Sequence, residues 1–141
     1  AFFSSCVKSQ NISFENKKYI NAVLHCCFMG RWTDWEKLAE GSERFDDKLD
    51  YEGCSCYELG LKSVSGRDIV PVYVGHTKNE VNRMWEYAYR GGHLSEFIDK
   101  ALGKGFVLYF RAQAKLTIAQ AKDMEEKLLD ERYYAWNTQL N

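Results

Sequence analysis

At 141 residues, with 45% hydrophobic and 28% charged side chains, the chain has the size of one globular domain with a single core. One proline, ten glycines and 15% aromatic residues exclude a disordered, collagen-like or linker-dominated chain, because so much aromatic surface has to be buried. Nineteen basic against twenty acidic residues leave a net charge of −1, which excludes a protein that holds nucleic acid by bulk charge; any such role must come from a local site.

No apolar run approaches the roughly 18–20 residues that span a bilayer and no secretion signal is visible, so no membrane partner is expected. Five cysteines are an odd number, and Cys26 and Cys27 are adjacent, which points to free thiols in a reducing, intracellular compartment rather than a disulfide framework. A zinc site built from His25, Cys26, Cys54 and Cys56 is the alternative, and the C-x-C spacing of the last two stands against it.

Residues 1–50 read as a helical N-terminal extension packed on a compact unit spanning 51–141. In the extension, Ile20, Val23, Leu24 and Cys27 follow the i, i+3, i+4, i+7 spacing of an apolar helix face. Thr33 with Glu36 forms a capping box, which predicts a short helix that Gly41 ends. Eight acids lie between Asp34 and Glu52. Cys56–Leu61 and Ile69–Val74 then read as two strands of a hairpin, joined by the turn-rich stretch from Lys62 to Asp68. Asn79 is an N-cap for a helix that Gly91-Gly92 stops, and Leu94, Phe97, Ile98 and Ala101 mark the face of the next. Phe106–Phe110 reads as a third strand. Thr117 with Gln120 opens a last helix whose apolar side includes Ile118, Ala121, Met124, Leu128 and Leu129. The order predicts an α+β fold: a small three-stranded antiparallel or mixed sheet flanked by helices.

The segment from Pro71 to Tyr87 is the most informative about function. A strand ends in Tyr73-Val74-Gly75, turns, and becomes a helix with Arg83 and Tyr87 at i and i+4, so that one face presents a guanidinium and a phenol together. Tyr57 lies on the partner strand, where a hairpin brings it beside Tyr73.

These residues resemble the GIY-YIG nuclease superfamily. Ser55-Cys56-Tyr57 stands where that family has Gly-Ile-Tyr, and Tyr73-Val74-Gly75 where it has Tyr-Ile-Gly. Arg83 matches its helix arginine, and Tyr87 its following Tyr or His. In the last helix Glu125, the Leu128-Leu129 pair and Asn137 resemble its metal-binding Glu, apolar pair and closing Asn. The likeness covers about residues 53–138. Further stretches, among them Trp35-Glu36, Glu43-Arg44, Tyr57-Glu58-Leu59-Gly60 and Gly91-Gly92-His93-Leu94, are similar to the plant effector-of-transcription branch.

The resemblance implies hydrolysis of DNA phosphodiesters with one divalent ion, Mg2+ or Mn2+, held by Glu125. It makes Tyr57, Tyr73, Arg83 and Glu125 the catalytic set, with Tyr57 as the base, and gives Gly75, His76, Tyr87, His93 and Asn137 to the substrate. A general base supplies roughly 10²- to 10⁴-fold, far less than such a bond demands, so electrostatics and positioning carry most of the barrier. The alternative function is a noncatalytic DNA-binding or transcription-regulatory module that keeps the fold. The neutral charge balance implies a tethered or separate basic DNA-binding domain, and the plant branch implies a nuclear location.

Overall fold

A computed structural model of the chain describes residues 30–140. Its centre is a five-stranded, wholly antiparallel sheet in the order β2-β1-β5-β3-β4. The strands are β1 (Glu36–Glu40), β2 (Glu43–Arg44), β3 (Ser55–Lys62), β4 (Val70–Thr77) and β5 (Val107–Ala114). Helix α1 (Glu80–Tyr89) follows β4, a 3₁₀ turn (Gly92–Leu94) leads into α2 (Ser95–Gly103), and α3 (Ile118–Glu131) and α4 (Ala135–Leu140) close the chain.

The sheet thus has five strands where three were expected, because the segment read as a capped helix at Thr33 is β1. The Thr33 hydroxyl that would cap a helix instead accepts from the Ala112 N–H (3.0 Å), while the Thr33 N–H donates to the Ala112 carbonyl (2.8 Å). Pairing with β5 and full burial of Leu38 and Ala39 override the local helical pattern. Gly41, expected to end a helix, adopts φ +56° in the tight turn between β1 and β2. The apolar face from Ile20 to Cys27 lies outside the described residues.

The local signals at the other helices hold. Asn79 accepts from the Asn82 N–H (3.0 Å) at the start of α1, and Thr117 accepts from the Gln120 N–H (3.2 Å) at the start of α3. Strand β3 lies between β5 and β4, and its successive side chains enter different layers. Tyr57 and Leu59 join Met84 and Tyr87 of α1 and Leu94 and Ile98 in the larger core cluster. Cys56 packs with Val74, Leu128 and Tyr134 beneath α3. Among the described residues no helix is long and apolar enough to cross a membrane.

Candidate functional site

Strand β4 and helix α1 are joined by a turn that fixes the distance between their polar residues. The Thr77 hydroxyl accepts from the Asn79 N–H (3.1 Å), and Asn79 then caps the helix. Arg83 and Tyr87, one turn apart, both lie toward the sheet. Across the β3–β4 ladder Tyr57 pairs with Gly75. A Cβ at Gly75 would lie 2.5 Å from the Tyr57 hydroxyl oxygen and 3.0 Å from the Tyr73 ring. Gly75, expected to touch substrate, is therefore a glycine because the Tyr57 phenol lies across its backbone.

Three phenols meet above this crossing. The Tyr57 and Tyr87 hydroxyls are 2.6 Å apart, and the Tyr73 ring lies 6.3 Å from that of Tyr57 and 6.5 Å from that of Tyr87. The Tyr73 hydroxyl is 3.0 Å from Nε2 of His93, an exposed residue in the 3₁₀ turn. The cluster thus runs from a fully buried Tyr57 to an imidazole in contact with solvent.

Burial is the main force on these groups. It pushes the Tyr57 phenol well above its ordinary range, the neighbouring Tyr87 and Tyr73 add to this, and Arg83 only partly offsets it. Tyr73 is also raised, first by burial and then by Tyr87 and the carboxylate of Glu125. At Tyr87 burial again raises, but hydrogen bonds from Tyr57 and Arg83 favour its ionised form. Burial and the charge of Arg83 hold His93 below the usual histidine range. A neutral His93 can accept a hydrogen bond from the Tyr73 hydroxyl at Nε2. Arg83 is partly exposed, 3.8 Å from a Glu86 oxygen. Burial is the largest single influence and works against its charge, but the hydrogen bond to Tyr87 and the fields of Tyr57, Tyr87 and Glu86 together outweigh it.

Glu125 reaches this region from the other side of β4. Its carboxylate contacts Nδ1 of His76, and His76 lines the same open depression as Arg83, a space of about 410 Å³ also bordered by Lys78, Asn82 and Glu86. Among the described residues Glu125 has no hydrogen bond to Arg83 or the phenols; His76 and its field at Tyr73 connect it to them. Lys78 and Asn82 were missed in the sequence. The available signal was their position in the short stretch between Tyr73 and Arg83, where most of the polar residues border the cleft.

Asn137 is placed against the backbone of β4. Its Oδ1 accepts from the Val74 N–H (2.9 Å) and its Nδ2 donates to the Val74 carbonyl (3.0 Å), in a buried position. Both ends of the amide bond the outer edge of β4, the place of a missing neighbour strand.

The donor set fits one kind of metal. Glu125 offers a single hard carboxylate, partly exposed, and Mg2+ or Mn2+ is commonly held by one or two carboxylates with water and a substrate phosphate. Among the described residues no group of three His, Cys, Asp or Glu is placed to hold an ion. Zinc fits poorly: Cys56 is fully buried, and burial pushes its thiol up to about 12, away from the thiolate that zinc requires. His25 and Cys26 lie outside the described residues.

On the opposite side of the sheet from Tyr57, the buried Glu58 gathers a separate polar network. One terminal nitrogen of Arg111 donates to both of its oxygens (3.2 and 3.1 Å), Tyr134 donates to one of them (3.2 Å), and Arg132 lies 3.5 Å away. The Arg111 guanidinium lies 4.7 Å from the Trp32 ring centroid and 4.6 Å from that of Trp35.

Comparison with known proteins agrees with this geometry. The model of the GIY-YIG domain-containing protein family matches residues 27–141. Protein EFFECTOR OF TRANSCRIPTION 3 of Arabidopsis thaliana is 29% identical over 134 residues, covering 86% of this chain and 49% of the relative, so the chain spans about half the length of that protein. Among solved structures, a mutant of bacteriophage T4 EndoII superposes with a TM-score of 0.53 at 17% identity, over 83% of this chain and 96% of that one; this is a likeness of fold.

Proposed function

The chain belongs to the GIY-YIG domain family, and on that premise we propose that it is a divalent-metal-dependent endonuclease that hydrolyses DNA phosphodiester bonds by nicking or cleavage. The observation that supports this most is the convergence of Tyr57, Tyr73, Tyr87 and Arg83 in one hydrogen-bonded cluster beside a cleft that His76 shares with Glu125.

In this reading Arg83, at the wall of the cleft, binds the scissile phosphate and stabilises charge that builds on its oxygens. Tyr57, as a phenolate that has first lost its own proton to solvent, takes the proton of the attacking water. Its hydroxyl is held 2.6 Å from Tyr87, whose link to Arg83 favours the ionised form, so the Arg83 charge acts on the phenol pair through Tyr87. Tyr73 is oriented by His93, whose exposed ring passes a proton to solvent. Glu125 would hold Mg2+ or Mn2+, which when bound supplies a Lewis acid for the phosphate oxygens. His76 orients the carboxylate. DNA as substrate and a relative named for transcription together support a nuclear location and a basic partner domain.

A second reading, a regulatory DNA-binding module without catalysis, is favoured by one observation: burial and the neighbouring phenols disfavour the Tyr57 phenolate. Plasmid nicking with Mg2+ or Mn2+ separates the two. Arg83→Ala and Glu125→Ala are each expected to lower nicking at least about 100-fold with little change in thermal unfolding. Wild-type protein that binds DNA without nicking it establishes the regulatory module.

A further inference from the structure

Two open depressions meet at the turn between β5 and α3. The cleft that holds Arg83 ends against Ile118, the first residue of α3. On the far side of the turn lies a groove of about 490 Å³, lined by Lys115, Leu116, Gln120, Asp123, Met124 and Lys127. Among the described residues Lys78, Lys115 and Lys127 have no ion-pair partner. In the groove the two lysines outnumber the single acid, Asp123, and unpaired ammonium groups there focus positive potential where a polyanion can use it, even in a chain of net charge −1.

The turn itself is pinned. The Lys115 N–H donates to the Cys54 carbonyl (2.9 Å), the Leu116 N–H to the Gln120 side chain (3.2 Å), and Thr117 caps α3. On this rigid ridge the Leu116 side chain is 67% exposed. Lys127 is nine residues along α3 from Ile118, about 14 Å at 1.5 Å per residue, comparable to the axial rise of about four base pairs of duplex at 3.4 Å each.

We propose that the DNA strand leaving the catalytic cleft crosses the β5–α3 turn over Leu116 and is held through its phosphates by Lys115 and Lys127. This track rests on the nuclease reading and extends it to the path of the substrate. Its contacts are to the backbone, so it holds DNA without reading sequence.

The test is anisotropy of a labelled duplex in EDTA across a salt series, with plasmid nicking in Mg2+ run beside it. The double variant Lys115→Gln/Lys127→Gln keeps much of the lysine stems and removes their charge. Lys100→Gln/Lys104→Gln, beside Phe106 at the opposite end of the sheet, is the control with the same charge change. The first double variant is expected to bind about tenfold more weakly, with a log–log salt slope shallower by about two, while the control matches wild type. Leu116→Glu is expected to weaken binding as well. A Lys115/Lys127 variant with the affinity and slope of the control overturns the track, and wild-type nicking would then leave the nuclease reading standing. Binding with the expected slopes but without nicking supports the track and overturns the nuclease reading. No binding and no nicking overturns both.

Discussion

Tyr57 and Glu58 are neighbours in β3 whose polar groups meet opposite fates on the two sides of the sheet. Tyr57 enters a cluster of phenols that satisfy one another and open through His93 to solvent beside an unfilled cleft. Glu58 enters a closed network in which Arg111, Arg132 and Tyr134 surround one carboxylate and two tryptophans flank the main guanidinium. Both sites are buried and polar, but the first leads through Tyr73 to the exposed imidazole of His93, whereas the second converges on one carboxylate held by two guanidiniums. The contrast teaches that burial of a polar residue does not mark function; the direction in which its hydrogen bonds lead does.

The largest expected effect falls on the closed side. Arg111→Ala leaves the Glu58 carboxylate buried with its main partner gone, and urea unfolding should show a loss of about 3–5 kcal/mol. A loss below about 1 kcal/mol would break the view that this network locks the sheet. Next comes a pair of hydroxyl deletions that should behave in opposite ways. Tyr57→Phe is expected to lower nicking by roughly 10²- to 10⁴-fold at little cost in stability, as the loss of a base would. Tyr134→Phe should cost about 1–2 kcal/mol of stability and leave nicking unchanged. Equal effects of the two on both readouts would erase the distinction between the sides.

Asn137→Ala sharpens the boundary of the open site. It strips two hydrogen bonds from the Val74 backbone, and a loss of about 1–3 kcal/mol in urea unfolding is expected, with unchanged DNA affinity in EDTA. The smallest effect concerns Glu80, a half-buried acid without an arginine cage. Burial raises it from the usual 4.5 to about 7, and the Ser55 hydroxyl beside it offsets part of the shift. Between these values the unfolded chain releases the proton and the folded chain retains it, so stability falls as pH rises through that window. Glu80→Gln should therefore match wild type near pH 4.5 and exceed it by on the order of 1–2 kcal/mol at pH 8, read from unfolding midpoints.

The helices α1 and α3 were legible because Asn79 and Thr117 act on backbone groups three residues away. Thr33 offered the same pattern and was misread, because its hydroxyl is taken by Ala112, far along the chain. The six-residue α4 carries too little periodicity to be seen; the Asn137 contact with Val74 anchors it to β4. In the site, the spacing of Tyr57, Tyr73, Arg83 and Tyr87 could be read from strand and helix periods, since each turn of helix returns a side chain to the same face. The pairing of His76 with Glu125 could not, because the two approach from different layers. Nor does an acid after Tyr57 announce that it is buried: a glutamate in a strand reads as a solvent-facing residue until its arginine is found on β5.

The order of helices after β4, their caps and the set of side chains offered to the cleft follow from the sequence by itself, since all of these depend on interactions within a few residues. Tertiary structure decided that residues 36–44 become strands, that Asn137 is bonded to the β4 backbone, and that Glu58 is locked by Arg111 while Tyr57 joins the phenol cluster. The reason is physical: a backbone hydrogen bond or buried charge is satisfied by whatever partner the folded chain brings near, and local propensities worth a few tenths of a kcal/mol yield to that demand.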